Sequence, residues 1–131
     1  MSDVTAFLAA LRDVHPDMAR WGQHGGCFRV YLLLKQAFPD AEAWYDGDHV
    51  ITRVGASFFD ITGKVRPYTH IPMDKPSMEE AYTWGTLPHH FACPPGYLMV
   101  HKDLLQDLMD QEPLSAEQEK RLQKCVEVAN G

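Results

Sequence analysis

Hydrophobic residues recur at helical spacing near both ends of the chain. Those within residues 3–14 lie three or four positions apart, which predicts an amphipathic helix with one buried side. Residues 101–110 show the same spacing, and a capping box from Ser115 to Gln118 predicts another helix over residues 116–130. The pattern therefore indicates helices that cover a core from both ends of the sequence.

A third segment, residues 28–38, is apolar on nearly every side. Only Arg29, Lys35 and Gln36 are clearly polar in it, so a helix here would contact protein around most of its circumference. The run is also longer than a usual strand. We therefore predict a central buried helix that begins just after Gly26.

Two runs rich in β-branched and aromatic residues, 49–54 and 57–62, flank Gly55-Ala56. They predict a β-hairpin. A two-residue turn would place His49 and Asp60 on one face as diagonal neighbours, whereas a three-residue turn would place them on opposite faces. The first register brings an imidazole and a carboxylate within reach of each other.

The remaining segments show weaker patterns. Residues 43–45 predict a short strand that pairs with the hairpin. Residues 64–97 are rich in proline and aromatic residues, which predicts an irregular covering segment. Within it, only residues 77–84 indicate a helix, opened by a capping box from Ser77 to Glu80.

Composition agrees with one folded domain. The chain has 131 residues, of which 45% are hydrophobic and 23% charged, and a domain of this size buries a core without disulfides or a structural metal. We predict a single α+β domain over residues 1–131. Its central buried helix packs on a small antiparallel β-sheet, and helices from the N- and C-terminal regions flank it.

Charge and cysteine content narrow the classes of partner. A formal charge of −6 argues against binding a nucleic-acid backbone, which needs clustered Lys and Arg. Cys27, Cys93 and Cys125 form neither a disulfide framework nor a CxxC pair, which favours a reducing cytoplasm. The sequence also lacks a signal-peptide pattern and any apolar run of about 20 residues, so we expect no secretion and no membrane partner.

Cys27 lies at the first turn of the predicted central helix, where unpaired amides and the helix dipole favour a thiolate. His49 could handle protons beside it, and Asp60 could orient His49. The backbone amide of Cys27 could bind the oxyanion that forms when sulfur attacks a carbonyl. These residues predict a Cys-His-Asp catalytic triad.

The stretch GGCFRVYLLLKQAFPDAEAWYDGDHVITRVGASFFDITG resembles the core of papain-like and transglutaminase-like cysteine enzymes. In that core a Gly-x-Cys opens a buried helix, a histidine starts a strand, and an aspartate follows on the next strand within D-x-T. The matching residues are Gly25, Cys27, His49, Asp60 and Thr62. The resemblance covers about residues 21–63 and implies a thiol-dependent hydrolase or acyl transferase that acts on an amide or ester carbonyl of a peptide or protein.

The resemblance also implies an oxyanion donor ahead of the cysteine, and Gln23 is the candidate. Trp21 and His24 are alternatives for this role, and either could instead bind substrate. We expect Trp84 and His90, from the proline-rich segment, to contact substrate beside Cys27. Such a mechanism requires no metal or organic cofactor. The substrate's identity and the oligomeric state stay open.

Other interpretations of the same residues remain. A cysteine in an apolar segment is commonly a buried core residue, so the fold could be a catalytically silent scaffold that binds another protein, such as a phage or bacterial accessory protein. His89, His90 and Cys93 could instead form part of a metal site, although a fourth ligand is not evident. Cys93 is the second candidate nucleophile, and Cys125 is most simply a packing residue.

Overall fold

The computed structural model describes residues 2–23, 26–81 and 115–130. The helices are α1 (Ser2–Arg12), α2 (Met18–Gln23), α3 (Cys27–Ala37), α4 (Lys75–Ala81) and α5 (Ala116–Asn130). The strands are β1 (Glu42–Tyr45), β2 (Val50–Val54), β3 (Ser57–Asp60), β4 (Gly63–Val65) and β5 (Ile71–Pro72). They form one sheet in the order β4-β3-β2-β1-β5, and all neighbouring strands are antiparallel. The prediction of an α+β fold with a small antiparallel sheet and flanking helices is confirmed.

Helix α3 lies at the centre and packs on β1, β2 and β3. Lys35 is its one exposed residue, and Cys27 is partly exposed. Arg29 and Gln36, which the sequence pattern counts as polar positions, are buried as well. The helix is thus enclosed even more completely than its apolar run predicts.

The two ends of the chain meet beside this core. Phe7, Leu8 and Leu11 of α1 are fully buried, and α1 packs against α5. Arg121 of α5 donates a hydrogen bond of 2.7 Å from Nη1 to the carbonyl of Asp13. The predicted amphipathic N-terminal helix and the helix over 116–130 are therefore confirmed, whereas the helix predicted over 101–110 lies outside the described residues.

The hairpin forms with the two-residue turn. Val54 pairs with Ser57 and Thr52 with Phe59, and Gly55 has φ +64°, in the left-handed region that glycine favours. This register excludes the three-residue alternative. Strand β1 pairs with β2, as expected from the sequence. The position of residues 49 and 60 on one face of the sheet follows from the hairpin register.

Three elements differ from the sequence-based expectation. Residues 18–23, for which the pattern predicts no helix or strand, form α2, in which Met18 and Gly22 are buried. Residues 63–65 and 71–72, expected to be irregular, form β4 and β5 at the two edges of the sheet. Both strands are very short, so they are stabilised by pairing with β3 and β1 and not by the β-propensity of their own sequence.

The helix predicted from residue 77 begins earlier, and its cap is a different residue. Asp74 accepts a hydrogen bond of 2.9 Å from the amide of Ser77 at its Oδ1, so it is Asp74 that caps α4. The predicted box from Ser77 to Glu80 is therefore wrong. Pro76 fits the first turn, where its missing N–H costs no helical hydrogen bond.

Candidate active site

Cys27 is the first residue of α3 and is fixed from two sides. Its Sγ accepts a hydrogen bond of 3.3 Å from the amide of Val50. Val50 is the first residue of β2 and is not paired with β3, whose pairing with β2 begins at Thr52. The buried Gly26 before it donates its amide to the carbonyl of Trp21 at 3.0 Å. The sulfur thus sits at the junction of α2, α3 and β2.

His49 and Asp60 are in contact, as the hairpin register predicts. Nε2 of His49 lies 3.4 Å from Oδ2 of Asp60, and the two side chains are 25% and 12% exposed. The hydrogen bond to Asp60, followed by the one to Cys27, raises the pKa of His49 to about 10 against the opposing effect of burial. The imidazole is therefore charged at neutral pH.

Asp60 is held by the residue that completes its D-x-T sequence. The amide of Thr62 donates to Oδ1 of Asp60 at 2.8 Å, and the Thr62 hydroxyl donates to the same oxygen. Burial raises the pKa of Asp60, but the hydrogen bonds from His49 and Thr62 lower it by more, so the net shift is downward. A charged carboxylate faces a charged imidazolium.

A second carboxylate, which the sequence analysis did not identify, organises the loop before β2. Oδ1 of Asp46 accepts the amides of Asp48 at 2.9 Å and His49 at 2.8 Å. Its Oδ2 lies 3.5 Å from Nε2 of His70, and Nδ1 of His70 accepts the amide of Tyr68 at 3.2 Å. Asp46-Gly47 at the end of a strand is the local signal for such an aspartate turn, whereas His70 comes from a distant segment and carries no signal of its own.

Tyr45 borders the same site. Burial, followed by the charge of Cys27, raises the pKa of its phenol. Together with Asp46 it lines a groove of about 200 Å³, whose other walls come from β5, from Met73 and Asp74 after it, and from Ser77 in the first turn of α4. The groove is open and mixed in polarity, and it lies next to the loop that carries His49.

The other predicted site residues have varied positions. Gln23 is exposed at the end of α2, and within the described ranges its side chain makes no hydrogen bond. Trp21 is partly buried and packs against the ring of His15, with 4.5 Å between ring centroids and 38° between the ring planes. His24, Trp84, His89, His90 and Cys93 lie outside the described residues. Cys125 is fully buried, and burial raises its pKa to about 12, which confirms a packing role.

The described residues form neither a metal-binding cluster nor a membrane-spanning helix. Among them, no group of three or more His, Cys, Asp or Glu side chains could hold a metal ion. The helices of this part of the chain also include none with the length and apolar character needed to cross a membrane.

Comparison with known proteins gives one finding. The search of curated proteins and the search of solved structures produced no match. The family model described as Phage YunG-like protein matches residues 7–93, a range that contains Cys27, His49 and Asp60 together with α2, α3 and the whole sheet. The match covers well over half of the sequence, and the chain belongs to the Phage YunG-like protein family.

Proposed function

We propose that the protein is a thiol-dependent hydrolase or acyl transferase that acts on an amide or ester carbonyl of a peptide-like substrate, built on a minimal papain-like or transglutaminase-like core. One observation carries the proposal. The sulfur of Cys27, the imidazole of His49 and the carboxylate of Asp60 come from three separate segments and meet at the start of the buried α3.

The charges of these groups suit nucleophilic chemistry. Asp60 faces Nε2 of His49, which leaves Nδ1 as the ring nitrogen that we assign to Cys27. An imidazolium beside the sulfur can pair with a thiolate, and Asp60 keeps the ring charged and oriented. The amides of Val50 and of the first turn of α3 also place the positive ends of their dipoles around the sulfur, which favours a negative charge there.

In the proposed first step, the Cys27 thiolate attacks the carbonyl carbon, and the C=O electron pair moves onto oxygen. The Cys27 amide at the start of α3 would bind this oxyanion, with exposed Gln23 as a second donor. When the oxyanion collapses, the bond to the leaving amine or alcohol breaks and His49 gives that group its proton. A thioester on Cys27 and a neutral His49 remain.

In the second step, neutral His49 takes a proton from water or from an acceptor amine, which then attacks the thioester. The C–S bond breaks, the acid or the new amide leaves, and the thiolate and imidazolium are restored. His49 therefore acts first as acid and then as base. The raised pKa of His49 sets this order, because it makes the charged ring the resting form.

The test uses 4-nitrophenyl acetate and a panel of peptide amides and thioesters at pH 7. We expect release of 4-nitrophenolate and an acetyl adduct that intact-mass and peptide analysis place on Cys27. Cys27→Ala should abolish the adduct, and Asp60→Asn should slow its formation. Cys125→Ala is the matched control, because it also removes a thiol but from a fully buried position, and it should acylate like the wild type.

Two results would overturn the proposal. One is a folded wild-type protein in which Cys27 gains no acyl group from any donor; the other is acylation that Cys27→Ala leaves unchanged. The first result would favour the silent scaffold that binds another protein, and the second would point to a different nucleophile such as Cys93.

A further inference from the structure

The loop between β1 and β2 is short, and one side chain sets its shape. Oδ1 of Asp46 accepts two consecutive amides, those of Asp48 and His49, at 2.9 and 2.8 Å. The second of these belongs to the residue whose ring meets Asp60. The backbone of His49 is thus tied to the carboxylate of Asp46, while its side chain is tied to Asp60 at 3.4 Å.

The other oxygen of Asp46 faces a buried group. Nε2 of His70 lies 3.5 Å from Oδ2 of Asp46, and the His70 side chain is only 9% exposed. Because Nδ1 of His70 accepts the amide of Tyr68, the ring hydrogen lies on Nε2 and faces the carboxylate. That nitrogen is at ion-pair distance from Asp46, yet among the described residues it has no partner with hydrogen-bond geometry. His70 therefore covers the outer side of Asp46 and limits how the carboxylate can turn.

We infer that Asp46 is a positioning residue for His49: its carboxylate fixes the loop backbone so that the imidazole stays between Cys27 and Asp60, and His70 holds that carboxylate in place. The inference rests on the proposed function for its catalytic consequence, although the contact between His49 and Asp60 can be followed without any reaction. A ring displaced by about 1 Å can cost about 100-fold in rate.

Two substitutions at one position separate positioning from charge. Asp46→Asn removes the negative charge but keeps an oxygen that can accept both amides, since Asn forms such turns as well as Asp does. Asp46→Ala removes the charge and the acceptor. Asp48→Ala is the matched control, because it removes an exposed carboxylate of the same loop whose oxygens accept no hydrogen bond within the described residues.

We expect Asp46→Ala to lower the maximal rate of Cys27 acylation by 4-nitrophenyl acetate about 10- to 100-fold, with little change in the half-saturating concentration. Asp46→Asn should stay within about threefold of the wild type, and Asp48→Ala should be unchanged. The same series is followed by NMR titration of the His49 ring. Its midpoint should fall in Asp46→Ala by more than it falls in Asp46→Asn.

Equal losses in Asp46→Asn and Asp46→Ala would overturn the inference, because they would show that keeping an oxygen for the two amides makes no difference. No loss in either variant would also overturn it. If the wild type forms no acyl-Cys27 at all, the proposed function fails while the NMR series still decides whether Asp46 positions His49. Amide spectra of each variant show whether a loss comes from unfolding, and His70→Gln should move the His49 midpoint in the same direction as Asp46→Ala.

Discussion

Replacing Asp60 by Asn should lower the pKa of His49 by about one to three units. The substitution removes a negative charge 3.4 Å from Nε2 of the ring. A unit pair at that separation contributes about 1 kcal/mol in water and about 5 kcal/mol at an effective dielectric constant of about 20. These limits correspond to about 1 and 3.5 pKa units. Because the His49 side chain is 25% exposed, we expect a value between them.

The assay is an NMR titration of the histidine ring protons between pH 5 and pH 11. The His49 resonance is identified by its loss in His49→Gln, and its midpoint in the wild type should lie near the raised pKa of about 10. In Asp60→Asn the midpoint should fall towards the ordinary histidine value. The side-chain oxygen of Asn can still accept the amide of Thr62, so the hairpin should keep its fold.

Asp48→Asn serves as the control, because it removes an exposed carboxylate adjacent to His49 in sequence. It should move the midpoint by less than about 0.5 unit, since a solvated charge is strongly screened. A His49 midpoint that stays within about 0.5 unit of the wild type in a folded Asp60→Asn would refute the reasoning. Asp60 would then not be the main cause of the raised pKa.

Four further outcomes test the fold and its pH dependence. Gly22→Ala should lower the free energy of unfolding by about 1–2 kcal/mol in urea titrations, since its new Cβ would lie 2.7 Å from Cβ of the buried Ile61; an unchanged urea midpoint would contradict this contact. Ser115→Ala should cost about 1 kcal/mol by loss of the helix cap, whereas Ser115→Asp should keep it. The stabilisation from protonated His49 should be complete below about pH 6.5 and should disappear as pH rises towards 10. Over that interval the free energy of unfolding of the wild type should fall by about 1–3 kcal/mol more than that of His49→Gln. Parallel curves of unfolding free energy against pH would rule this out. Cys125 should resist iodoacetamide until urea unfolds the protein, and rapid labelling of the native state would show that it is not buried.

Local signals were sufficient for the hairpin and for the buried helix. Gly55 supplies the positive φ of a two-residue turn, and β-branched residues before it and aromatic residues after it mark the two strands that define the register. That register alone predicts the contact between His49 and Asp60. The apolar run of α3 is long enough to distinguish a helix from a strand, so the position of Cys27 at its first turn also follows.

Elements that depend on distant partners could not be predicted. Helix α2 has no continuous apolar stripe, and only a glycine fits at position 22, because the side chain of Ile61, directly after β3, approaches the backbone there. Strands β4 and β5 are too short to show an alternating pattern. The role of Asp46 was also missed: Asp46-Gly47 at the end of a strand indicates a turn, but it does not show that one of the bound amides belongs to His49 or that the distant His70 faces the carboxylate.

The hydrogen bond from Val50 to the sulfur of Cys27 has a practical consequence. Any covalent change at that sulfur, whether acylation, alkylation or oxidation, alters the acceptor that this one amide proton meets. The chemical shift of the Val50 amide is therefore a built-in reporter of the state of the thiol. It would respond to the thioester of the proposed reaction, without a label and without a chromogenic substrate.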